Sequence, residues 1–269
     1  MPQLALRALS QMVLTGKIAL ITGGGTGIGK AIGETMAKNG ARVAIASRNP
    51  SHLKNAAEAF AATNCSVLPI QMDIRSKEQV QRGVGRVVEA WGPIDILVNN
   101  AGISGLNRID DPDDSRWRDI LETNLTGMYL VTKEVLKSMK SHANGRIINV
   151  SSVLGKFGVA GYTAYCASKH GMIGFTRALA LEVVGRGITV NAICPGWVET
   201  EMARLGIGES AAHQGITAEE FKKQAIEAVP IRRFIDPGEV AHLVLYLASD
   251  QAVGITGQAI NICGGQTMV

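Results

Sequence analysis

The chain has 269 residues, 46% of them hydrophobic and 19% charged, with a formal net charge of +4. Those proportions describe an ordinary globular protein with a sizeable core. The basic residues are spread without a run of five, which leaves a nucleic-acid surface unsupported, and no apolar run reaches the roughly eighteen residues of a bilayer span.

Residues 1–16 read as an N-terminal extension; they carry one Arg and several Leu but no small-residue cleavage site, so a signal peptide is not expected. From residue 17 onward, short Val/Ile/Leu-rich runs alternate with amphipathic stretches. The runs at 17–22, 42–47, 66–71, 95–99, 146–151, 188–194 and 259–262 are candidate strands. Helical patterns lie near 27–39, 51–63, 76–91, 115–141, 162–185 and 237–248. Strand–helix alternation of this kind predicts an α/β fold, a doubly wound parallel sheet covered on both faces. With no linker or repeat, 17–269 reads as a single domain. One polar, Gly-containing stretch, about 198–237, interrupts the alternation with Gly206, Gly208, Gly215 and a helical patch at 218–228. Long insertions commonly serve as substrate lids; a decorative surface loop is the plainer alternative.

The first strand runs directly into Thr22-Gly23-Gly24-Gly25-Thr26-Gly27-Ile28-Gly29 and then a helix. Glycines there let the backbone turn sharply and approach a pyrophosphate, whose charge suits a helix N-terminus. The spacing is G-x-x-x-G-x-G rather than G-x-G-x-x-G, and tight packing alone would also explain it. At the end of the second strand, Ala46-Ser47-Arg48-Asn49 lacks the acid that usually holds an adenosine 2′-hydroxyl. Arg48 instead offers a fork for a 2′-phosphate, which favours NADP(H) and leaves NAD(H) open; a solvated Arg48 is the alternative. Asp73 follows the third strand and can accept from an adenine amino group. Asn99-Asn100-Ala101-Gly102 follows the fourth, where small residues permit close approach and Asn100 can tie neighbouring strands. Turn chemistry alone would also account for both.

Tyr165 and Lys169 stand four residues apart, about one helical turn, so both side chains leave one helix face. Lys⁺ beside a phenol favours the phenolate, and the Tyr165 pKa is expected below its usual value of about 10. Such a Tyr exchanges protons near neutral pH. Ser152 lies thirteen residues upstream at the end of the fifth strand, where its hydroxyl can donate to a carbonyl oxygen; Ser151 is the alternative. Asn124 interrupts the mainly apolar stripe of Leu121, Met128, Thr132 and Val135, and a buried amide must find partners. Cys65, Cys166, Cys194 and Cys263 have no C-x-x-C pairing and read as free thiols in a reducing compartment. The five histidines lack ligand spacing, so no metal site is expected.

These motifs, in this order and spacing, resemble the short-chain dehydrogenase/reductase family over nearly all of residues 17–265. The resemblance implies a Rossmann-like doubly wound parallel sheet with a substrate lid, and a tetrad of Asn124, Ser152, Tyr165 and Lys169. Tyr165 would be the proton donor, Lys169 would bind the nicotinamide ribose and depress the Tyr165 pKa, and Asn124 would anchor a water leading to Lys169. The implied cofactor-binding set is Gly23, Gly25, Thr26, Gly27, Ile28, Ser47, Arg48, Asp73, Ile74, Asn100, Ala101, Gly102, Tyr165, Lys169, Pro195, Gly196, Val198 and Thr200. Trp197 could pack on substrate or within the fold.

The segments 122–127, 155–158 and 261–265 look like those of polyketide ketoreductases and 3-oxoacyl reductases. The expected activity is NADP(H)-dependent reduction of a ketone to a secondary alcohol, on a 3-oxoacyl or polyketide-type substrate. Arg204, Arg232 and Arg233 could meet a carrier's phosphate or acidic surface, or be solvated. Residues 193–198 also look like 3-hydroxybutyrate dehydrogenases, so a 3-hydroxyacyl or secondary-alcohol dehydrogenase is the alternative. An NADP-sensing scaffold is the non-enzymatic one. The expected partners are a small-molecule ketone or acyl thioester and further copies of the chain in a homotetramer, without nucleic acid or membrane, in the cytoplasm.

Overall fold

The computed structural model describes residues 12–63, 65–139 and 145–269. Residues 1–11 of the extension and the end of the helix expected at 115–141 therefore lie outside the described residues. Seven strands follow the apolar runs: β1 (Ile18–Thr22), β2 (Arg42–Ser47), β3 (Val67–Gln71), β4 (Ile96–Asn99), β5 (Arg146–Val150), β6 (Thr189–Pro195) and β7 (Ala259–Ile262). They pair in parallel in the order β3-β2-β1-β4-β5-β6-β7. Ala19 and Ile21 of β1 enter one apolar layer, Ile18 and Leu20 the other. A strand apolar on both sides needs helices over both faces. One layer is built with α1 (Gly27–Lys38), α2 (Pro50–Ala62) and α9 (Pro237–Ala248). The opposite layer uses α3 (Lys77–Trp91), α5 (Met128–Ser138) and α6 (Thr163–Val183). The chain order reverses between β1 and β4, which opens a crevice at their carboxyl ends.

Two stretches depart from the sequence pattern. The single helix expected over 115–141 is broken into α4 (Ser115–Leu121), a π-helical turn at Glu122–Gly127, and α5. The wider turn shifts the helical register by about one residue and carries Asn124 into the interior, with 0% of its surface exposed. Gly127 ends the turn against Ile74, where a Cβ would stand only 2.7 Å from Ile74 Cγ1.

The insertion at 198–237, expected as a loop with one helical patch, holds two helices, α7 (Glu201–Gln214) and α8 (Ala218–Ala228). Thr200 caps α7 by accepting from the Ala203 amide at 3.2 Å, and Gly215 ends it in the left-handed region at φ +69°. Behind them, Ile207, Ala225 and Phe234 form a satellite core with Trp197 and Phe221. Trp197 stacks on Phe234 with centroids 5.5 Å apart and meets Phe221 edge-on at 6.3 Å. This tryptophan packs the insertion.

Under the carboxyl edge of the sheet runs a buried polar network. Asn99 Nδ2 donates to Thr132 Oγ1 and to Asn149 Oδ1, both at 2.9 Å, and Asn149 Nδ2 donates to Thr176 Oγ1 at 2.8 Å. It joins β4 and β5 to α5 and α6, and each bond satisfies a group that would otherwise cost about 1–3 kcal/mol in the interior. Among the described residues, no helix is long and apolar enough to cross a membrane.

Candidate active site

The turn after β1 is a cradle. Gly23 and Gly27 hold φ values of +65° and +50°, which a side chain would strain. A Cβ on Gly29 would collide with the Gly23 carbonyl oxygen and Asn100 Nδ2. The cradle is fastened to β4 from the side: Asn100 Nδ2 donates to the Thr22 and Gly23 carbonyls at 3.0 and 3.1 Å. Thr22 Oγ1 accepts from the Asn100 and Ala101 amides. The N-terminus of α1 follows at once, with Thr26 in extended geometry, no side-chain cap and no acid in the first turn. Its free amides face the cradle as an anion site would require. Thr200 overhangs it, with Cγ2 3.3 Å from where a Gly27 Cβ would be.

Arg48 projects from the end of β2, about half exposed, with Nη1 3.9 Å from Asp73 Oδ2. Asp73 is not a free acceptor: Arg75 grips its carboxylate with Nη2 at 2.8 Å and Nε at 3.2 Å. Burial alone would raise this carboxyl, but Arg75 and the more distant Arg48 together hold it below the usual carboxylate range. Ile74 and Val198 are buried, and Ile28 is half-buried against a core layer. Pro195 ends β6, and the Gly196 amide donates to the Ile262 carbonyl at 3.1 Å.

The four candidate catalytic residues meet at the ends of β5 and α6. Lys169 is 4% exposed, and Nζ donates to the Val150 carbonyl at 2.8 Å while standing 5.6 Å from the Tyr165 ring centroid. Ser152 Oγ accepts from the Leu154 amide at 3.1 Å, and the serine lies near enough to the Tyr165 phenol to favour its ionised form. Ser151, the rival serine, is turned away: its Oγ donates to the Lys169 carbonyl at 3.1 Å. Asn124 Oδ1 accepts from the Ile103 amide at 2.8 Å, and Nδ2 donates to the Ile103 carbonyl at 2.9 Å and Ser168 Oγ at 3.1 Å. Ser168 in turn donates to the Tyr165 carbonyl at 2.8 Å. Gly102 fits between, since a Cβ on it would lie 3.1 Å from Asn124 Oδ1 and 3.8 Å from Lys169 Nζ.

The protonation states differ from those expected. Burial pushes the Tyr165 phenol up to about 12, against the smaller lowering effect of the Ser152 hydrogen bond. Burial also pulls Lys169 down to about 8. Proximity to Lys169 predicted a lowered phenol; desolvation is instead the dominant influence on the phenol, although part of the Tyr165 surface stays exposed. Ser168 was not singled out by sequence, although it lies inside the Tyr165–Lys169 interval, and Thr22 stood out only as the first residue of the glycine turn. Their work is to bond backbone, which leaves no spacing signature. The arginines considered for a carrier are engaged within the chain: Arg204 with Glu201, Arg233 with Glu239, and Arg232 with the Glu227 carbonyl. His170 is exposed, with Nδ1 on the Cys166 carbonyl. Among the described residues, no group of three or more His, Cys, Asp or Glu could hold a metal ion.

A family model described as short chain dehydrogenase matches residues 17–207. A solved actinorhodin polyketide ketoreductase with NADPH superposes with a TM-score of 0.90 at 42% identity, covering 93% of this chain and 97% of that one. Levodione reductase gives 0.89 at 31% identity, over 94% and 98%. A Streptomyces coelicolor protein named as a ketoacyl reductase is 41% identical over 251 residues, 93% of this chain and 96% of that protein. The 3-oxoacyl-acyl-carrier-protein reductase FabG of Escherichia coli is 37% identical over 258 residues, 96% and 100% of the two chains.

The Lys169 environment has a pH signature. Between the folded pKa of about 8 and the ordinary value of 10.5, the unfolded chain holds a proton that the folded chain has released. Unfolding therefore becomes harder as pH rises through that window. Relative to Lys169→Met, the wild type should gain about 1–3 kcal/mol of stability across it, read by urea unfolding. A difference that stays flat would mean that burial does not burden the ammonium.

Proposed function

The chain belongs to the short-chain dehydrogenase family, and from that premise we propose that it is an NADPH-dependent reductase turning a 3-oxoacyl or polyketide-type ketone into a secondary alcohol. The observation that carries this reading is the convergence of Ser152, Tyr165 and Lys169 at the carboxyl edge of the sheet, beside the glycine cradle. Ketoacyl reductases and a ketoreductase solved with NADPH share its fold and more than a third of its sequence.

The cofactor is NADPH, and the residues present fit it. The cradle at Gly23–Gly29 leaves room for a pyrophosphate against the free amides of α1. Arg48, unopposed by any acid at 46–49, is available for a 2′-phosphate. We assign the remaining cofactor contacts to Ser47, Asp73, Asn100, Ala101, Gly102, Lys169 and the segment Pro195–Thr200, with Asp73 held in place by Arg75. When bound, NADPH supplies the hydride.

The residues of the chain supply the proton and hold the carbonyl. Burial keeps the Tyr165 phenol protonated at neutral pH, the state from which it donates to a ketone oxygen that is gaining negative charge. Ser152, whose Oγ lone pair is used by the Leu154 amide, offers its own proton to that same oxygen. Lys169 stays charged at neutral pH and offsets the phenolate left behind. Both amide hydrogens of Asn124 are committed, so a water beside it can be held only through an acceptor oxygen. Helices α7 and α8 form the lid over this cleft.

Initial rates with NADPH and NADH, across ketones of differing size and thioester content, test the reading. Tyr165→Phe should lower kcat by roughly 10²–10⁴-fold. Arg48→Ala should raise KM for NADPH about 10–100-fold and leave NADH nearly unchanged. Wild-type protein that consumes neither cofactor with any ketone would sink the reductase.

We further infer a homotetramer in the cytoplasm. A groove of about 480 Å³ between α5 and α6, lined by Tyr129, Leu136, Phe175 and Leu179 among others, supports assembly. Four free thiols suit a reducing compartment. Light scattering that reads a monomer at micromolar concentration, or fractionation away from the cytoplasm, would refute the respective inference.

A further inference from the structure

We propose that Glu209 is a positioning residue that latches the lid helix α7 across the substrate cleft; what the cleft holds rests on the reductase reading above. The carboxylate reaches two separate parts of the opposite rim. Oε1 accepts from Arg116 Nη2 of α4 at 2.7 Å, and Oε2 accepts from the Leu106 amide at 3.3 Å. One residue on, Ser210 Oγ lies 2.9 Å from the Tyr162 hydroxyl. Leu106 is three residues beyond Ile103, the partner of Asn124, and Tyr162 is three residues before Tyr165. The latch thus joins the lid to the two segments that carry catalytic partners.

An ion pair with both side chains 41% exposed would ordinarily be a weak ornament. Three observations set this one apart. Its second donor is a backbone amide, which cannot swing away as a side chain can. Gly105 lies under the Arg116 guanidinium, and its missing Cβ leaves room for that side chain where it now stands. The helix being held is also soft. Gly206 and Gly208 stand inside α7 with nothing within 4 Å of where a Cβ would be, so neither is required by packing. Each weakens the helix relative to alanine. A soft helix held by a few side-chain bonds opens more readily than the packed elements around it.

Met202, Leu205 and Glu209 are spaced i, i+3 and i+7, so they share one face of α7. Both apolar side chains are exposed in the closed position. With the latch shut they overlook the cleft and favour a compact ketone, whereas a bulky ketone needs the latch released. Glu209 sets substrate size through the lid and touches no reacting atom.

Amide hydrogen exchange of the full-length protein, with α9 as the internal control for folding, tests the latch without reference to catalysis. Glu209→Ala and Arg116→Ala should each speed exchange across 201–214 by about three- to tenfold, Arg116→Ala less because the Leu106 bond remains, with the double variant no faster than Glu209→Ala alone. Glu209→Gln, which keeps an acceptor for the Leu106 amide, should fall between wild type and Glu209→Ala. Gly206→Ala should slow exchange in the same stretch. In kinetics, Glu209→Ala should raise KM for a small ketone and leave its kcat within about twofold, while a bulky ketone gains in kcat/KM. Unchanged exchange in α7, or additive single effects, would overturn the latch. Wild type that reduces no ketone would overturn the reductase reading and leave the exchange result standing.

Discussion

A buried ammonium must be given a partner, and the region that holds the candidate active site is built around that requirement. Lys169 finds its partner in the Val150 carbonyl, the last residue of β5. That bond sets α6 against the end of the strand. Ser151 locks the same contact from behind by donating to the Lys169 carbonyl, and Gly155 lies so close to that carbonyl that a Cβ would stand 2.8 Å away. With strand end and helix fixed to one another, Ser152 and Tyr165 are brought to the same end of the sheet. The third tie is Asn124, which reaches from the π-helical turn to Ser168 on α6 and to Ile103 in the loop after β4.

The rigidity needed for proton transfer comes from a second tier of buried polar bonds. Asn99, Asn149, Thr132 and Thr176 tie two central strands to the two helices that carry the site. Asn100 and Thr22 do the same for the glycine cradle. Side chains held by such networks lose little freedom on binding, so the donor and acceptor geometry is prepared in advance. The insertion at 198–237 is built on the opposite plan. Helices α7 and α8 have their own small core around Trp197 and Phe234, and α7 meets the opposite rim through side-chain bonds on a glycine-weakened helix. In the function proposed above, chemistry sits on the stiff part and selection on the soft one.

Legibility in the sequence followed the range of each interaction. The strands could be read because alternating apolar layers leave a mark within five or six residues, and their ends shifted by about one residue. The glycine turn could be read because its conformational demand is local. The π-helical turn could not, because it arises where Asn124 meets Ile103 and Gly127 meets Ile74. Helix α7 was hidden by Gly206 and Gly208, and its stabilising contacts come from Phe234 and the opposite rim. Asp73 read as a free acceptor because its engagement by Arg75 depends on how the chain turns after β3.

Residue order alone therefore determined the doubly wound sheet, the cradle, and the placing of Ser152, Tyr165 and Lys169 along the chain, since each depends on neighbours a few positions away. Tertiary structure decided which serine faces the site, how Asn124 is held, and above all the protonation states. Four-residue spacing predicted a phenol lowered by its lysine, whereas folding raised the phenol to about 12 and lowered the lysine to about 8. The cost of a charge is set by the water removed from around it, and that water is removed by segments distant in the chain.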